Sequence, residues 1–208
     1  MLQFITNETD IYSHLEGAIQ ALRGGCKWIQ LRMKKSPKNE IVSVAKELKI
    51  ECEKYNAILI INDYPDIAIE VKADGVHLGK NDMSPIDARN FMGEEYIIGG
   101  TANCFEDIQR LVEANVDYIG LGPYRYTNTK ENLSPMLGLK GYNSIIKKCR
   151  DNNLITPIVS IGGIKADDIS ELIKSGVDGI AISGDIINAN NPADKTKKII
   201  NEIFKSKK

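Results

Sequence analysis

The sequence is short of the residues on which several kinds of site depend. Its 208 residues include only two histidines, His14 and His77, and four cysteines that are far apart and form no CxxC pair. A structural zinc site needs such side chains at short spacing, so we do not expect zinc chemistry. A chain of this length can bury a sizeable core without disulfides, which favours reduced and mostly buried thiols.

Unbalanced charge and long apolar runs are also missing. The formal net charge is -1, so no overall basic field attracts nucleic acid or a membrane, and we expect neither as a partner. The longest apolar runs, such as 57–61, are too short to cross a bilayer. The first ten residues lack the basic and apolar parts of a signal peptide. We therefore expect a cytoplasmic protein with small-molecule substrates, and the sequence leaves open whether it forms a homo-oligomer.

Short, β-branched apolar runs are what the sequence has in abundance. Eight of them follow one another along the chain: Leu2–Thr6, Trp28–Arg32, Ile58–Asn62, Gly75–Leu78, Tyr96–Gly100, Tyr118–Leu121, Ile158–Ile161 and Gly179–Ile182. Most lack polar alternation, which is typical of parallel strands buried on both faces. Between them lie segments with helical periodicity, most clearly Ile11–Leu22, Asn39–Tyr55, Phe105–Ala114 and Asp168–Ser175.

This alternation predicts an α/β fold, a single-domain (β/α)8 TIM barrel over residues 1–208, with Lys205–Lys208 as a frayed tail. A quasi-repeat supports the closed barrel. The segments 72–79, 115–122 and 175–183 each read as a helix end, a turn with a polar residue and a strand, and 24–32 follows the pattern with Lys27 in place of Asp. A doubly wound open sheet is the alternative.

A basic segment follows the second predicted strand. Gln30, Arg32 and Lys34 alternate with apolar residues, so a strand would direct all three side chains to the same side. An amide, a guanidinium and an ammonium group that converge suit a polyphosphate, because arginine forms paired hydrogen bonds to oxygens and lysine adds a point charge. An exposed basic strand end is the alternative.

Two aspartates follow the next two predicted strands. Asp63 comes directly after the third strand, and Asp82 lies in the loop after the fourth. In a barrel both loops open onto the same end, where two carboxylates could hold Mg²⁺ together with phosphate oxygens. Each also has a simpler reading as a turn or cap residue, since Pro65 and Pro85 follow.

The loops after the last three strands indicate a second anion site. Thr127, Asn128, Thr129 and Lys130 lie after the sixth strand and are consistent with an anion site or a lid, or with a polar surface loop. Gly163 follows the seventh strand, and Ile182 and Ser183 end the eighth. Barrels seat a monophosphate at this place through backbone N–H groups.

The sequence offers no Ser-His-Asp or Cys-His set at these strand ends. His77 lies within a strand and reads as a packed core histidine more readily than as a base. Two anion sites in one barrel without an obvious nucleophile favour a displacement of diphosphate, in which the protein positions and neutralises charge.

These motifs together resemble the thiamine phosphate synthase family. The matching segments occur in order over nearly the whole chain: Gln30-Leu-Arg-Met-Lys34, Ile61-Asn-Asp63, Ala73-Asp-Gly-Val-His-Leu-Gly79 with Asp82, Gly120-Leu-Gly-Pro123 with Thr127-Asn-Thr-Lys130, Ile161-Gly-Gly163 and Gly179-Ile-Ala-Ile-Ser183. The resemblance implies a (β/α)8 barrel that couples 4-amino-2-methyl-5-hydroxymethylpyrimidine diphosphate to a thiazole phosphate, possibly in its 2-carboxy form, and releases diphosphate. The family's reaction is dissociative: diphosphate leaves before the thiazole nitrogen attacks.

The resemblance also implies roles for individual residues. The pyrimidine diphosphate would be bound by Gln30, Arg32, Lys34, Asn62 and Lys130, with Thr101 as a further candidate. Mg²⁺ would be held by Asp63 and Asp82. The thiazole phosphate would be seated by Thr127, Thr129, Gly163, Ile182 and Ser183, with Asn128 in the same loop. Arg32, Lys34 and Lys130 would act in catalysis by neutralising the departing diphosphate.

The sequence departs from the family pattern at three places, and two related readings stay open. Tyr64 stands where the family often has arginine, Arg125 lies in a Tyr-Arg-Tyr segment where an aromatic-Pro pair is usual, and Thr101 lies in an atypical Gly-Gly-Thr-Ala-Asn segment. A thiazole tautomerase would use a histidine where this chain has Asn103. A non-catalytic phosphate-binding barrel would lack one of the metal or diphosphate residues. A sugar-phosphate isomerase is not favoured, because it would need an acid–base pair at the strand ends and the sequence offers no persuasive one.

Overall fold

A computed structural model describes residues 1–126 and 135–207 and shows a closed parallel barrel. Its strands are β1 (Leu2–Ile5), β2 (Trp28–Leu31), β3 (Ile58–Asn62), β4 (Gly75–Leu78), β5 (Ile97–Ala102), β6 (Tyr118–Leu121), β7 (Ile158–Ser160) and β8 (Gly179–Ile182). Each strand pairs with the next in the chain, and β8 pairs with β1. The predicted (β/α)8 barrel is therefore confirmed, and the open-sheet alternative is wrong.

Helices follow the strands around the outside of the barrel. They are α1 (His14–Arg23), α2 (Lys38–Lys54), α3 (Pro65–Glu70), α4 (Pro85–Met92), α5 (Phe105–Glu113), α6 (Gly138–Asp151), α7 (Ile169–Ser175), α8 (Gly184–Ile187) and α9 (Pro192–Ser206), with a 3₁₀ turn at Ala166–Asp168 before α7. The four helices predicted most clearly are all present.

Local hydrogen bonds set the element ends that periodicity misplaces. Helix α1 begins at His14 and not at Ile11, because the Ser13 hydroxyl accepts from the N–H of Glu16 and the Glu16 carboxylate accepts from the N–H of Ser13. Such a reciprocal cap defines the first turn of a helix. Strand β5 continues two residues beyond the predicted Gly100, so that Thr101 is part of the strand.

The quasi-repeat has a structural counterpart at the amino-terminal ends of the strands. The carboxylates of Asp74, Asp117 and Asp178 accept from N–H groups in the first two residues of neighbouring strands, at Leu59 (2.7 Å), Ile98 (2.7 Å) and Ile158 (2.8 Å). Lys27, the exception in sequence, uses its ammonium group to bind the Tyr55 carbonyl. These residues lie at the face of the barrel where conserved contacts serve stability and not chemistry.

Apolar side chains fill two regions of the structure. A large cluster lies between the strands and the helices and includes Phe4, Leu48 and Tyr142. A second, smaller cluster includes Trp28 and Tyr118, whose rings meet edge to face at 4.8 Å. Since side chains alternate along a strand, the second cluster forms the interior of the barrel.

The end of the chain differs from its prediction. Helix α9 includes Lys205 and ends at Ser206, because Ile199 and Ile203 bury one side of the helix against the barrel. The expected frayed tail at Lys205–Lys208 is therefore wrong for its first two residues, and Lys208 lies outside the described residues.

The four cysteines are free thiols, and three of them are buried. Across the described residues, we find no helix with the length and apolar character needed to span a membrane.

Candidate active site

A cavity of about 630 Å³ opens at the carboxyl ends of the strands. Side chains from the end of every strand contribute to its wall, as expected for the active face of a barrel. Nine of the predicted site residues line it: Gln30, Arg32, Lys34, Asn62, Asp63, Thr101, Gly163, Ile182 and Ser183. The fold therefore brings together residues that are more than 150 positions apart in the sequence.

One side of the cavity carries the basic segment after β2. Gln30, Arg32 and Lys34 all line the cavity, as their two-residue spacing predicts. The backbone N–H of Arg32 donates to the Thr6 hydroxyl at 3.0 Å, which fixes the chain just after the strand ends. The Gln30 side chain is buried, with 1% of its surface exposed, and lies beside the Tyr118 hydroxyl in the barrel interior.

Asp63 lies beside this basic segment in an unusual backbone conformation. Its φ angle is 69°, in the left-handed region, which aspartate tolerates better than most residues. Its N–H donates to the His77 carbonyl at 2.9 Å, and its carboxylate pairs with the Lys34 ammonium at 2.9 Å. The helix cap that the sequence suggested for Asp63 is instead Tyr64, with Pro65 as the first helical residue.

Asp82 reaches the same place from the β4–α4 loop. It is not among the residues that line the cavity. Its carboxylate accepts from the Gly79 N–H at 2.7 Å and lies within hydrogen-bonding reach of Asp63. Burial, and then the neighbouring Asp82 carboxyl, raise the pKa of Asp63 above its usual value, although Lys34 opposes the change.

These two carboxylates fit Mg²⁺ by their chemistry. Oxygen donors are the ligands that Mg²⁺ prefers, and it usually takes only one or two carboxylates together with water and phosphate oxygens. The neighbouring Asp82 carboxyl raises the pKa of Asp63, and a divalent cation held between the two groups would stabilise Asp63 as an anion. Within 1–126 and 135–207, no group of three or more acidic, histidine or cysteine side chains offers an all-protein metal cage.

A buried polar chain forms the floor of the cavity. The ring nitrogens of His77 lie 2.9 Å from the Tyr118 hydroxyl and 2.9 Å from the Thr101 hydroxyl, and the Gln3 amide donates to Tyr118 at 3.3 Å. His77 is 5% exposed, as expected of a packed core histidine, yet it also lines the cavity. Thr101 therefore lies in the cavity in an orientation that this chain fixes.

The opposite side of the cavity has the features of a monophosphate site. Gly162 and Gly163 follow β7 with φ angles of 97° and 68°, and successive residues of this kind can turn their N–H groups toward an anion. A side chain at Gly163 would collide with Arg125 and Tyr126, because its Cβ would lie 2.5 Å from the Arg125 side chain. The buried Ser183 hydroxyl makes no hydrogen bond to the described residues, which leaves it available to a ligand.

Arg125 links the loops after β6 and β7. Its guanidinium makes a two-pronged ion pair with Asp168 at 2.6 and 2.8 Å and donates to the Gly163 carbonyl at 3.3 Å. Its charge is therefore matched by a carboxylate that is only 13% exposed. This geometry indicates that Arg125 braces the glycine loop after β7.

Four predicted residues cannot be placed. Thr127, Asn128, Thr129 and Lys130 lie outside the described residues. Other cavity residues were missed by the sequence reasoning, notably Thr6, Asp185 and Lys195. Asp185 pairs with Lys195 at 3.0 Å and accepts from the Ala166 N–H at 3.0 Å. Thr6 directly follows β1, and this position could have identified it. Asp185 lies beyond the end of β8, in the short helix α8, and Lys195 lies in helix α9; no local pattern connects either of them to the site.

Comparison with known proteins places this geometry among relatives. Residues 2–186 match the family model described as thiamine monophosphate synthase. The chain is 52% identical over 201 residues to a thiamine-phosphate synthase of Bacteroides thetaiotaomicron, covering 96% of each chain. It is 46% identical to one of Flavobacterium johnsoniae, covering 97% of this chain and 93% of the relative. A solved thiamine phosphate pyrophosphorylase from Pyrococcus furiosus superposes with a TM-score of 0.87 at 30% identity, covering 99% and 96% of the two chains.

Proposed function

Because the chain belongs to the thiamine monophosphate synthase family, we propose that it joins 4-amino-2-methyl-5-hydroxymethylpyrimidine diphosphate to a thiazole phosphate, with Mg²⁺, to give thiamine phosphate and diphosphate. One observation carries the proposal. A single cavity holds a basic and carboxylate-bearing side at Arg32, Lys34 and Asp63 and a glycine-rich side at Gly163 and Ser183. The two phosphorylated substrates would each use one side and meet between them.

The basic side accounts for departure of the diphosphate. In the proposed first step the bond between the pyrimidine methylene carbon and the diphosphate oxygen breaks, and both electrons leave with the oxygen. Arg32 and Lys34 would receive the growing negative charge, and fixed charges of this kind lower a barrier because they need no reorganisation. Mg²⁺, when bound by Asp63 and Asp82, would supply further positive charge to the same oxygens.

The remaining residues account for capture of the pyrimidine. Gln30, Asn62 and Thr101 would orient the pyrimidine ring over the cavity floor. The glycine loop and Ser183 would bind the thiazole phosphate, so that the ring nitrogen faces the methylene carbon. The nitrogen lone pair then forms the new carbon–nitrogen bond without loss of a proton. No general base is needed, so the proposed reaction does not require an imidazole at the position after β5 that Asn103 occupies.

The geometry supports a synthase over a tautomerase. The tautomerase reading requires an imidazole after β5, but Asn103 occupies that position and donates its side-chain amide to the Gly122 carbonyl at 2.5 Å. An amide has no basic nitrogen to transfer a proton. The non-catalytic alternative predicts a defective metal or diphosphate residue. Arg32, Lys34, Asp63 and Asp82 are all present in this chain, and Lys34 pairs with Asp63 in the cavity.

The direct test is an assay of the purified protein with the pyrimidine diphosphate, Mg²⁺ and each of the two thiazole phosphates, with or without the 2-carboxylate. We expect thiamine phosphate and diphosphate in equal amounts, with an equal amount of CO₂ when the thiazole carries the 2-carboxylate. Lys34→Met should reduce kcat/KM by roughly 10²–10³-fold, as for loss of one group that stabilises developing charge. Lys46→Met is the matched control, because Lys46 is exposed and pairs with Glu70 on the outer helices. Absence of thiamine phosphate with either thiazole would refute the proposal.

A further inference from the structure

A buried carboxylate outside the cavity joins two loops of the active face. Asp107 lies in the first turn of α5 and is only 4% exposed. Its carboxylate accepts from the Asn103 N–H at 2.8 Å, from the Arg110 guanidinium at 2.5 Å and from the Lys80 ammonium at 2.5 Å. Burial works against the charge, but the hydrogen bonds from Lys80, Asn103 and Arg110 lower the pKa of Asp107 to about 2. Asp107 is therefore ionised wherever the protein is folded near neutral pH.

The three partners of Asp107 lead to different places. Arg110 belongs to the same helix and is 72% exposed, so this contact stays local. Asn103 ends β5, and its side chain continues to the Gly122 carbonyl after β6. Lys80 belongs to the loop between β4 and α4, which also carries Asp82. The contact with Lys80 connects Asp107 to that loop.

The loop that Lys80 anchors is short and internally closed. The Asp82 carboxylate accepts from the Gly79 N–H, and the Asp82 N–H donates to the Gly79 carbonyl at 3.3 Å. Lys80 lies within this closed loop, so its ion pair with Asp107 restrains the loop that carries Asp82. Two carboxylates bind a divalent cation well only when their separation is fixed before the cation arrives.

We propose that Asp107 is a positioning residue that holds Lys80, and through it the 79–82 loop, so that Asp82 stands beside Asp63 as a preformed half-site for a divalent cation bound with diphosphate. This inference rests on the proposed function for the identity of the anion. Lys80 and Asp107 would support the cation site without contacting either substrate or the metal.

The direction in which cation binding changes when Lys80 is replaced distinguishes a positioning role from a purely electrostatic one. Removal of the Lys80 charge, taken alone, makes the surroundings more negative and should tighten the binding of a cation. Removal of the anchor frees the loop, and the cation must then order it, which weakens binding. The two explanations therefore predict opposite changes for the same variant.

The test compares Lys80→Met, Lys80→Arg and Arg110→Met with the unaltered protein. Binding of Mn²⁺ in the presence of inorganic diphosphate is followed by the electron paramagnetic resonance signal of the free ion. We expect Lys80→Met to raise the half-saturating Mn²⁺ concentration by about threefold to tenfold, less than the 10- to 100-fold typical of a residue that touches a metal ligand. Lys80→Arg should restore binding, because arginine also pairs with a carboxylate. Arg110→Met is the matched control and should bind within about twofold of the unaltered protein.

Activity gives a second readout. With Mg²⁺ at saturation, the kcat of Lys80→Met should stay within about twofold of the unaltered protein, because the Lys80 ammonium group would affect only how the metal site assembles. Unchanged or tighter Mn²⁺ binding in Lys80→Met overturns the inference, as does equal weakening in Arg110→Met. The binding measurement needs neither organic substrate, so it decides the positioning role even if the protein makes no thiamine phosphate.

Discussion

Lys34 and Asp63 form a 2.9 Å ion pair across the ends of β2 and β3, inside the cavity. In the proposed reaction these two residues act on different partners, since Lys34 faces the diphosphate and Asp63 holds the cation. In the free protein the charges of Lys34 and Asp63 neutralise each other. When the cation and diphosphate bind, this one ion pair is replaced by two, Asp63 with the cation and Lys34 with the diphosphate. The ion pair with Lys34 therefore reduces the free-energy cost of a partly buried, ionised Asp63 in the absence of the cation.

Substitution Asp63→Asn should stabilise the metal-free protein while it impairs the enzyme. The pKa of Asp63 is raised, chiefly by burial and despite Lys34. A raised carboxyl pKa contributes stability below the unfolded value of about 3.9, and this contribution is lost as pH rises through the folded value. At neutral pH the ionised group is thus a net cost. Asparagine removes the cost and tolerates the positive φ angle, whereas kcat/KM should fall by orders of magnitude.

Thermal unfolding without divalent cations checks this prediction. Tm should rise at pH 7, by roughly 2–4 °C for each kcal/mol in a chain of this length, and the difference should shrink as pH is lowered toward 4. Asp63→Ala is the contrasting variant, because alanine at a φ angle of 69° costs about 1–2 kcal/mol. A lower Tm for Asp63→Asn at pH 7 would show that the ion pair with Lys34 outweighs the burial.

Substitution Gly79→Ala should disturb the metal site from the other side. A Cβ at this position would lie 2.9 Å from the Asp82 carboxylate oxygen that the Gly79 N–H holds. The carboxylate must move, so the half-saturating Mg²⁺ concentration should rise by about tenfold or more. Gly141→Ala is the control, since Gly141 lies within α6, where alanine favours the helix. Equal Mg²⁺ dependence in both variants would contradict the placement of Asp82.

Substitution Arg125→Met should weaken binding of the thiazole phosphate and leave binding of the pyrimidine diphosphate unchanged. Arg125 ties the Gly163 carbonyl to Asp168, so its loss should loosen the glycine loop and leave a mostly buried carboxylate without its cation. We expect KM for the thiazole phosphate to rise about fivefold to tenfold, equivalent to roughly 1–1.4 kcal/mol. KM for the pyrimidine diphosphate is the internal control. A similar rise in both constants would mean that Arg125 supports the whole face and not this loop.

Features that follow from chain periodicity could be predicted, and features that follow from contacts between distant segments could not. The two-residue alternation of Gln30, Arg32 and Lys34 predicted a shared wall, and all three line the cavity although β2 ends at Leu31. Asp63 and Asp82 could be paired because they follow adjacent strands. The ion pair between Arg125 and Asp168 spans 43 positions, and neither residue belongs to a pattern that indicates the other. The same holds for Lys80 and Asp107, which read separately as surface charges.

The stability of the opposite face can be tested through the quasi-repeat, and Asp178 is its simplest member. Its carboxylate accepts from the Ile158 N–H at 2.8 Å at the start of β7. Asp178→Ala leaves that donor without its partner and should cost about 1–3 kcal/mol of unfolding free energy, measured by denaturant unfolding.

Asp178→Asn separates the hydrogen bond from the charge, because the amide oxygen can still accept from Ile158. It should recover most of the stability. In both variants kcat/KM should stay within about twofold, since residues at the amino-terminal ends of barrel strands serve folding and not chemistry. A large loss of kcat/KM in the stable Asp178→Asn variant would contradict this division of the barrel, since Asp178 lies at the end of the strands away from the cavity.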